Sequence, residues 1–326
     1  MKSGNHSTPY SFLNINITLF VGDCLETVFL VSSIDLLHFD TESIYLEKEL
    51  KKRGFKSAIV CWDDPKVKWE EATLTISRTT STYFQDPEKF LAWARKVEGT
   101  STLWNPSPVM EWNYHKRYLL ELQDHGIPMP ETLLIPQNTE QPIEEILETI
   151  PWDDFILKPS IGAGSGGLRR FSKDSSDLEA HFRNLNKHGF EQVFNFGELE
   201  FIPCDTLVQP FIPEIMKNGE ASLIFFGGKY SHSMLKKVKT GDFRAHPLWG
   251  AEVGRYHPSE REIEVAFQSL EVVEHPIEYA RIDMIPTDSD PLVIEVELLD
   301  PNLFFDHLPE TVGSFVDHIE HFLKNP

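Results

Sequence analysis

The sequence predicts a two-part fold, a small parallel α/β unit followed by an α+β unit of about twice its size built on antiparallel strands. Up to about Asn105, apolar strands alternate with helix-like segments, the pattern of a parallel sheet with crossover helices. From Phe155 the apolar runs are short and set apart by Gly, Pro and Asn, as in antiparallel sheets. Between the two, NPSP (Asn105–Pro108) marks a boundary, and Pro128, Pro130 and Pro136 force an irregular stretch.

Taken in order, residues 1–25 form a largely polar-led extension. ETVFLVSS (Glu26–Ser33) reads as a buried strand, and TESIYLEKELKKRGF as a helix with Thr41 as N-cap and Gly54 as its stop. KSAIVCWDD is a second strand and LTISRT a third. DPEKFLAWARKV is a helix capped by Asp86 with Pro87 at its first position. EWNYHKRYLLELQDHG reads as one helix closed by Gly126. DFILKP, LRRF, DTLVQPF, ASLIFF and KYSHSML are short strands. Two helices interrupt them: SSDLEAHFRNL, with a capping box Ser176-x-x-Glu179, and SEREIEVAFQSLEVV, with Ser259-x-x-Glu262 and an apolar stripe at Ile263, Phe267 and Leu270. TVGSFVDHIEHFL closes the chain with Val312, Phe315, Ile319 and Phe322 on one face.

The totals set limits. A chain of 326 residues, 40% of them hydrophobic, is long enough for two or three packed units. The net charge of -21 repels nucleic acid and anionic membrane, so neither is expected as a partner. Cys24, Cys61 and Cys204 lack both disulfide-framework and metal-site spacing. With no signal-peptide core and no apolar run long enough to span a bilayer, a soluble cytoplasmic protein is expected.

Four stretches carry chemistry. VIEVELL (Val293–Leu299) places Glu295 and Glu297 on one face of an apolar strand, where they repel unless something positive lies between them or the face is wet. Upstream, EYARIDMIP puts Arg281 and Asp283 on one face, and the turn-rich TDSDP joins the two strands into a hairpin. Asp283, Glu295 and Glu297 then form a hard-cation site suited to Mg²⁺ or Mn²⁺, or a solvated sheet face with chance acids. FILKPSIGAGSGGLRRF ends a strand at Lys158 and opens a loop with Gly162-x-Gly164-x-x-Gly167. A strand follows this loop, so it suits neither a Rossmann turn nor a Walker A loop, and it reads as a hairpin tip able to fold over phosphates, or as a mobile surface loop. In LVQPFIPEI, Pro210 and Pro213 rule out a helix and an interior strand; the extended segment, without ladder partners, is a linker or an adenine-reading edge. Lys236, Lys237, Lys239 and Arg244 form a basic island in an acidic protein, an anion site or a solvated loop.

In this order, a glycine hairpin with lysine, an extended hinge, a basic loop ending in arginine and a carboxylate hairpin resemble the ATP-grasp superfamily, in its glutathione-synthetase-like and D-alanine–D-alanine-ligase-like branch. WDD, the Arg-x-x-x-x-Tyr-Phe of Arg78–Phe84, GDFR and E-x-E look most like bacterial members such as the cycloserine-forming ligase. The resemblance spans roughly residues 27–322. It implies an α/β pre-ATP-grasp domain with a parallel sheet (26–107), a small lid subdomain carrying the glycine loop (108–208) and a large subdomain carrying the metal site (209–326), the two subdomains clasping ATP with antiparallel sheets.

It also implies roles. Lys116 and Lys158 match phosphate-binding lysines. Gly162, Gly164, Ser165 and Gly166 match the loop over the phosphates. Gln209, Pro210, Phe211 and Ile212 match the adenine hinge, and Glu220, with Glu214 as rival, the ribose acid. Arg244 matches the arginine that stabilises the transferred phosphoryl group. Asp283, Glu295 and Glu297 match ligands of two Mg²⁺ ions, and Arg281 is placed to meet a carboxylate. Two departures stand out: Glu297 where many relatives carry Asn, and Gly250-Ala251 where they often carry Gly-Gly. The implied activity is ATP-dependent joining of a small-molecule carboxylate to an amine through an acyl phosphate. The alternatives are intramolecular ring closure, a non-catalytic ATP sensor, or addition of amino acids to a protein tail. Relatives are commonly dimers, so a homodimer is an expectation.

Overall fold

The computed structural model describes residues 26–194 and 197–325; the extension 1–25, with Cys24, lies outside the described residues. Its first part is a parallel sheet of order β2-β1-β3-β4, formed by β1 (Thr27–Ser32), β2 (Lys56–Cys61), β3 (Leu74–Thr79) and β4 (Thr102–Trp104). Helix α1 (Thr41–Lys52) joins β1 to β2 and α2 (Pro87–Glu98) joins β3 to β4. The cap of α1 is Asp40 and not Thr41: its carboxylate accepts the Ser43 N–H at 3.0 Å, which a threonine one residue later cannot reach. Asp86 caps α2 as expected, accepting the Lys89 N–H at 3.1 Å.

The segment read as one helix is two, α3 (Ser107–Asn113) and α4 (Tyr118–Asp124). At Lys116 the backbone N–H turns away from the helix and donates to the Ser160 carbonyl at 2.7 Å, and this contact across the fold breaks the helical ladder. The chain continues through β5 (Leu133–Ile135), α5 (Ile143–Leu147), β6 (Asp154–Pro159), β7 (Arg169–Ser172) and α6 (Leu178–Arg183), which runs into a π-turn at Asn184–His188. A hairpin of β8 (Phe190–Phe194) and β9 (Gly197–Phe201) follows, then β10 (Thr206–Pro210). The expected capping box on α6 does not form: Asp177 occupies the N-cap without a cap bond and pairs with Arg169, while Glu179 pairs with Arg183.

The second sheet has the order β5-β10-β6-β7, so β10 is an interior strand, contrary to the reading of LVQPF as lacking ladder partners. The prolines permit this by position. β5 pairs only with Thr206–Val208, so Pro210 lies past the end of that neighbour and its missing N–H costs no bond there. The third sheet, β13-β12-β11-β14-β15, is antiparallel throughout: α7 (Glu214–Asn218), β11 (Glu220–Phe226), β12 (Lys229–Lys237), β13 (Glu252–Arg255), α8 (Glu260–Glu271), β14 (Tyr279–Ile285), β15 (Leu292–Glu297) and finally α9 (Val312–Lys324). The Ser259–Glu262 capping box on α8 is present in both directions. Val265, Ala266 and Ser269 bury most deeply on that helix, with Ile263, Phe267 and Leu270 half-buried beside them.

No described helix is long and apolar enough to cross a membrane. One core joins the first sheet to the end of the chain: Leu30, Leu46, Leu74 and Trp104 pack with Phe305, Val312, Phe315 and Ile319. Asn105, read as a linker residue, is fully buried here. Its Nδ2 donates to the Tyr279 and Leu298 carbonyls at 2.8 Å each, and its Oδ1 accepts the Glu278 N–H at 2.9 Å. It does so at φ 54°, a left-handed conformation that asparagine tolerates. Asn105→Ala orphans three buried backbone groups and is expected to destabilise the protein by on the order of 3 kcal/mol in urea unfolding. Asn105→Gly loses the same bonds without the backbone strain and should be milder by about 1 kcal/mol.

Candidate active site

The hairpin of β14 and β15 sets Arg281 opposite Glu297 and Asp283 opposite Glu295, so strand alternation puts all four charges on one face. Asp283, Glu295 and Glu297 each bring an oxygen within 4.8 Å of the others. The positive charge their repulsion demands is built in. Arg281 Nε donates to Asp283 at 3.0 Å and its Nη2 donates to Asp283 at 2.9 Å and to Glu297. Lys236 pairs with Glu220 and lies 3.4 Å from Asp283, while Lys116 lies 3.1 Å from Glu295. The Ser222 hydroxyl donates to Asp283 at 2.5 Å.

Removal from water pushes Glu297 up to about 8 and Glu220 up to about 7 despite these cations. Burial acts on Asp283 in the same direction, but Arg281 and Lys236 outweigh it and hold this carboxyl well below its usual range. Burial likewise opposes Glu295, and Lys116 and Lys158 keep it low. The set is all-oxygen and hard, and its three carboxylates meet in one place; these residues fit a divalent metal ion.

β15 is an edge strand, and two side chains close its open edge. Asn113 Nδ2 donates to the Val296 carbonyl at 2.7 Å and its Oδ1 accepts the Leu298 N–H at 2.9 Å, while the Tyr118 hydroxyl accepts the Val296 N–H at 3.1 Å. Neither residue was singled out in the sequence. The signal was slight, a polar Asn among aromatic residues of a helix end.

Lys116 sits in the break between α3 and α4, where Nζ donates to the Gly162 carbonyl at 3.0 Å as well as pairing with Glu295. Lys158, near the end of β6, has no ion partner among the described residues; burial lowers its pKa to about 8, with Glu295 acting against the shift. The loop after it is a hairpin tip between β6 and β7, as expected. It lies flat on Phe201, which is stacked between Phe84 at 4.4 Å and Phe190 at 4.7 Å. A methyl group at Gly166 would overlap the Phe201 ring, whereas one at Gly162 would stand 3.3 Å from it. Ser165 adopts φ 56°. His181 Nε2 donates to the Gly167 carbonyl at 2.9 Å.

The basic island disperses: Lys236 is buried in β12, while Lys237 and Lys239 are exposed. Arg244 stacks on Trp249 at 3.4 Å and is held by Asp242 at 2.9 and 2.6 Å, and Trp249 Nε1 donates to the Gly164 carbonyl at 2.9 Å, tying this loop to the glycine loop. Gln209, Pro210, Phe211 and Ile212 line the same cavity, about 360 Å³ in volume, as do Glu220, both lysines and the loop. Gln209 Nε2 donates to Thr132 at 2.7 Å. Glu214 is exposed on α7 and does not line the cavity; on that turn it is the next residue, Ile215, that faces inward. Arg281 meets carboxylates of its own hairpin. Arg78 pairs with Glu42 at 3.1 Å and donates to the Pro301 carbonyl, and Glu42 accepts the Leu303 and Phe305 N–H groups. The sequence reading gave no site role to Thr79, Ser81 or Asp300, nor to Tyr83 beyond its place in the Arg78–Phe84 motif, and all four line the cavity.

Gly166→Ala is expected to lower stability by about 1–3 kcal/mol by forcing Phe201 out of its stack, while Gly162→Ala stays near wild type; urea unfolding of both variants checks the difference. Burial, partly offset by the Gly167 bond, lowers His181 to about 4 from 6.5. The unfolded chain therefore takes up the proton first. The stability from the neutral ring is full above about pH 7 and falls by up to about 3 kcal/mol as pH drops from 6.5 toward 4. Urea unfolding of His181→Asn should lack that component of the pH dependence.

Two family profiles match the chain. One described as "D-cycloserine synthetase DcsG, N-terminal domain" covers residues 28–105, and one described as "RimK-like ATP-grasp domain" covers residues 116–303. The cycloserine biosynthesis protein DcsG of Streptomyces lavendulae is 25% identical over 289 residues, covering 84% of this chain and 91% of that one. Its fold is shared by the crystal structure of D-cycloserine synthetase DcsG, with a TM-score of 0.78 at 23% identity over 91% of this chain and 99% of that one. The D-alanine–D-alanine ligase from Bacillus anthracis complexed with ATP gives a TM-score of 0.67 at 14% identity, over 91% and 96%. The profile on residues 116–303 takes in more than half of the sequence and holds both lysines, the glycine loop and the carboxylate hairpin: the chain belongs to the RimK-like ATP-grasp family, enzymes that use ATP and divalent metal ions.

Proposed function

We propose that the protein is an ATP-dependent carboxylate–amine ligase acting on an amino-acid-like small molecule through an acyl phosphate. One observation carries this reading: three carboxylates share one cavity with a glycine loop and with Lys158, which has no ion partner among the described residues. Lys158 and Lys116 bind phosphate oxygens, with Lys116 also bracing the loop through Gly162. The N–H groups of Gly162, Gly164 and Ser165 cover the same anion, while that of Gly166 is spent on the Ala163 carbonyl at 3.1 Å. The hinge Gln209–Ile212 takes the adenine; the Ile212 N–H has no acceptor among the described residues. Glu220 takes the ribose hydroxyls. Arg244, steered by Asp242 and Trp249, meets the charge on the transferred phosphoryl group. Asp283, Glu295 and Glu297 would hold two Mg²⁺ ions, for which Mn²⁺ substitutes, and the chemistry these supply is neutralisation of phosphate charge. Arg281 acts as a positioning residue, because its guanidinium is engaged by the hairpin itself. The buried free thiols of Cys61 and Cys204 fit a reducing cytoplasm.

The match of residues 28–105 to the first domain of D-cycloserine synthetase favours a second reading, ring closure within one substrate. It is distinguished by mass spectrometry as loss of water without a second substrate.

Purified protein with ATP, Mg²⁺ and pooled amino acids is expected to release ADP and phosphate, and chelation by EDTA to stop it. Glu295→Gln with Glu297→Gln should lower turnover by about a hundredfold or more and remove the metal dependence of ATP binding in calorimetry. Failure of every pool to elicit ADP would refute the ligase reading.

A further inference from the structure

Nucleotide and metal account for one end of the cavity and leave the other unassigned. Past Glu297, its wall is made by Thr79, Ser81 and Tyr83 of the first unit and by Asp300 from the segment after β15. Among the described residues, each lysine or arginine lining the cavity is ion-paired except Lys158. Each acid is ion-paired or, like Asp40, engaged as a helix cap, except Asp300. Asp300 is held in place by neutral donors only: its Oδ2 accepts the Thr80 N–H at 2.9 Å and the Ser81 hydroxyl at 2.6 Å, while its Oδ1 has no donor among the described residues. A recessed carboxylate in this state gains most from an arriving cation.

Two unmatched charges of opposite sign thus share one cavity. Lys158 lies at the phosphate end. Asp300 lies three residues beyond Glu297, so their backbones are no more than about 11 Å apart. A molecule whose carboxylate meets the phosphoryl group while a second, positive group meets Asp300 would use both of these charges. We propose that Asp300 binds the protonated amine of the amino-acid-like substrate and is the residue by which the site selects it over a plain or hydroxy carboxylic acid. The inference rests on the ligase reading and names the specificity-determining residue of the same site. Ser81 and Thr80 are positioning residues that orient Asp300 through Oδ2 and leave Oδ1 to the ligand.

The test separates the carboxylate substrate from its partner by supplying hydroxylamine as the amine. The substrate carboxylate takes the phosphoryl group from ATP, releasing ADP; hydroxylamine nitrogen then displaces phosphate to give the hydroxamate. Common amino acids in both enantiomers are compared with the α-hydroxy acids of the same skeletons. Wild type should form hydroxamate from amino acids at least tenfold faster than from their hydroxy counterparts. Asp300→Asn, which keeps both Oδ contacts to Thr80 and Ser81 but removes the charge, should reduce that preference at least tenfold while leaving the KM for ATP unchanged. Asp300→Glu should restore part of the preference, which a merely structural role for Asp300 would not predict. An unchanged preference in Asp300→Asn, or wild-type use of hydroxy acids as readily as amino acids, overturns the assignment while the ligase reading stands. No hydroxamate from any acid removes the ligase reading and this assignment with it.

Discussion

The site depends on one electrostatic constraint: Asp283 stays ionised in a buried position because Arg281 and Lys236 flank it. Each of these cations also grips a second acid, Glu297 through Arg281 and Glu220 through Lys236. The ion pairs therefore run across four neighbouring strands and fix their register. A slip of one residue on β15 would turn Glu295 and Glu297 into the apolar core, taking from Lys116 its acid and leaving Arg281 with Asp283 alone. Buried ion networks add little net stability, and breaking one by removing a single member is costly. Their worth here is specificity of pairing, which holds three oxygen donors on one face.

Around that network, the fold assembles a cavity from parts that share no local sequence. Lys116 comes from a broken helix, Lys158 from the second sheet and Glu295 from the third, yet Lys116 touches both the glycine loop and Glu295. The glycine loop itself is shaped from below by a ring. Phe201 leaves no space for a side chain at Gly166, and its stacking on Phe84 carries the floor across to the first unit. The loop is also held from the side by Trp249 and His181.

Much of this was legible in the sequence. Strand alternation in VIEVELL and ARIDM gave the shared acidic face, and turn chemistry in TDSDP gave the hairpin between them. Proline and glycine positions bounded most helices. What escaped was decided by contacts distant in sequence. Ser160 breaks the helix at Lys116, a short neighbour lets Pro210 enter an interior strand, and Arg169 draws Asp177 away from capping. Asn113 and Asn105 looked like ordinary polar residues, because only the folded chain shows that their amides close backbone edges. Asp300 carried no motif at all; it matters only because every other acid around it has a partner or a cap to hold.

The last helix has a consequence for how the chain is made. α9 lies on the first sheet, with Arg53 of the first unit bonded to the Gly313 carbonyl and paired with Glu320. During synthesis from the N-terminus, the apolar face formed by Leu30, Leu46 and Leu74 has no cover until residues 312–324 leave the ribosome, on the order of tens of seconds after β4 emerges. The first sheet is thus completed by a segment far downstream of it, and its burial waits until that segment has been made.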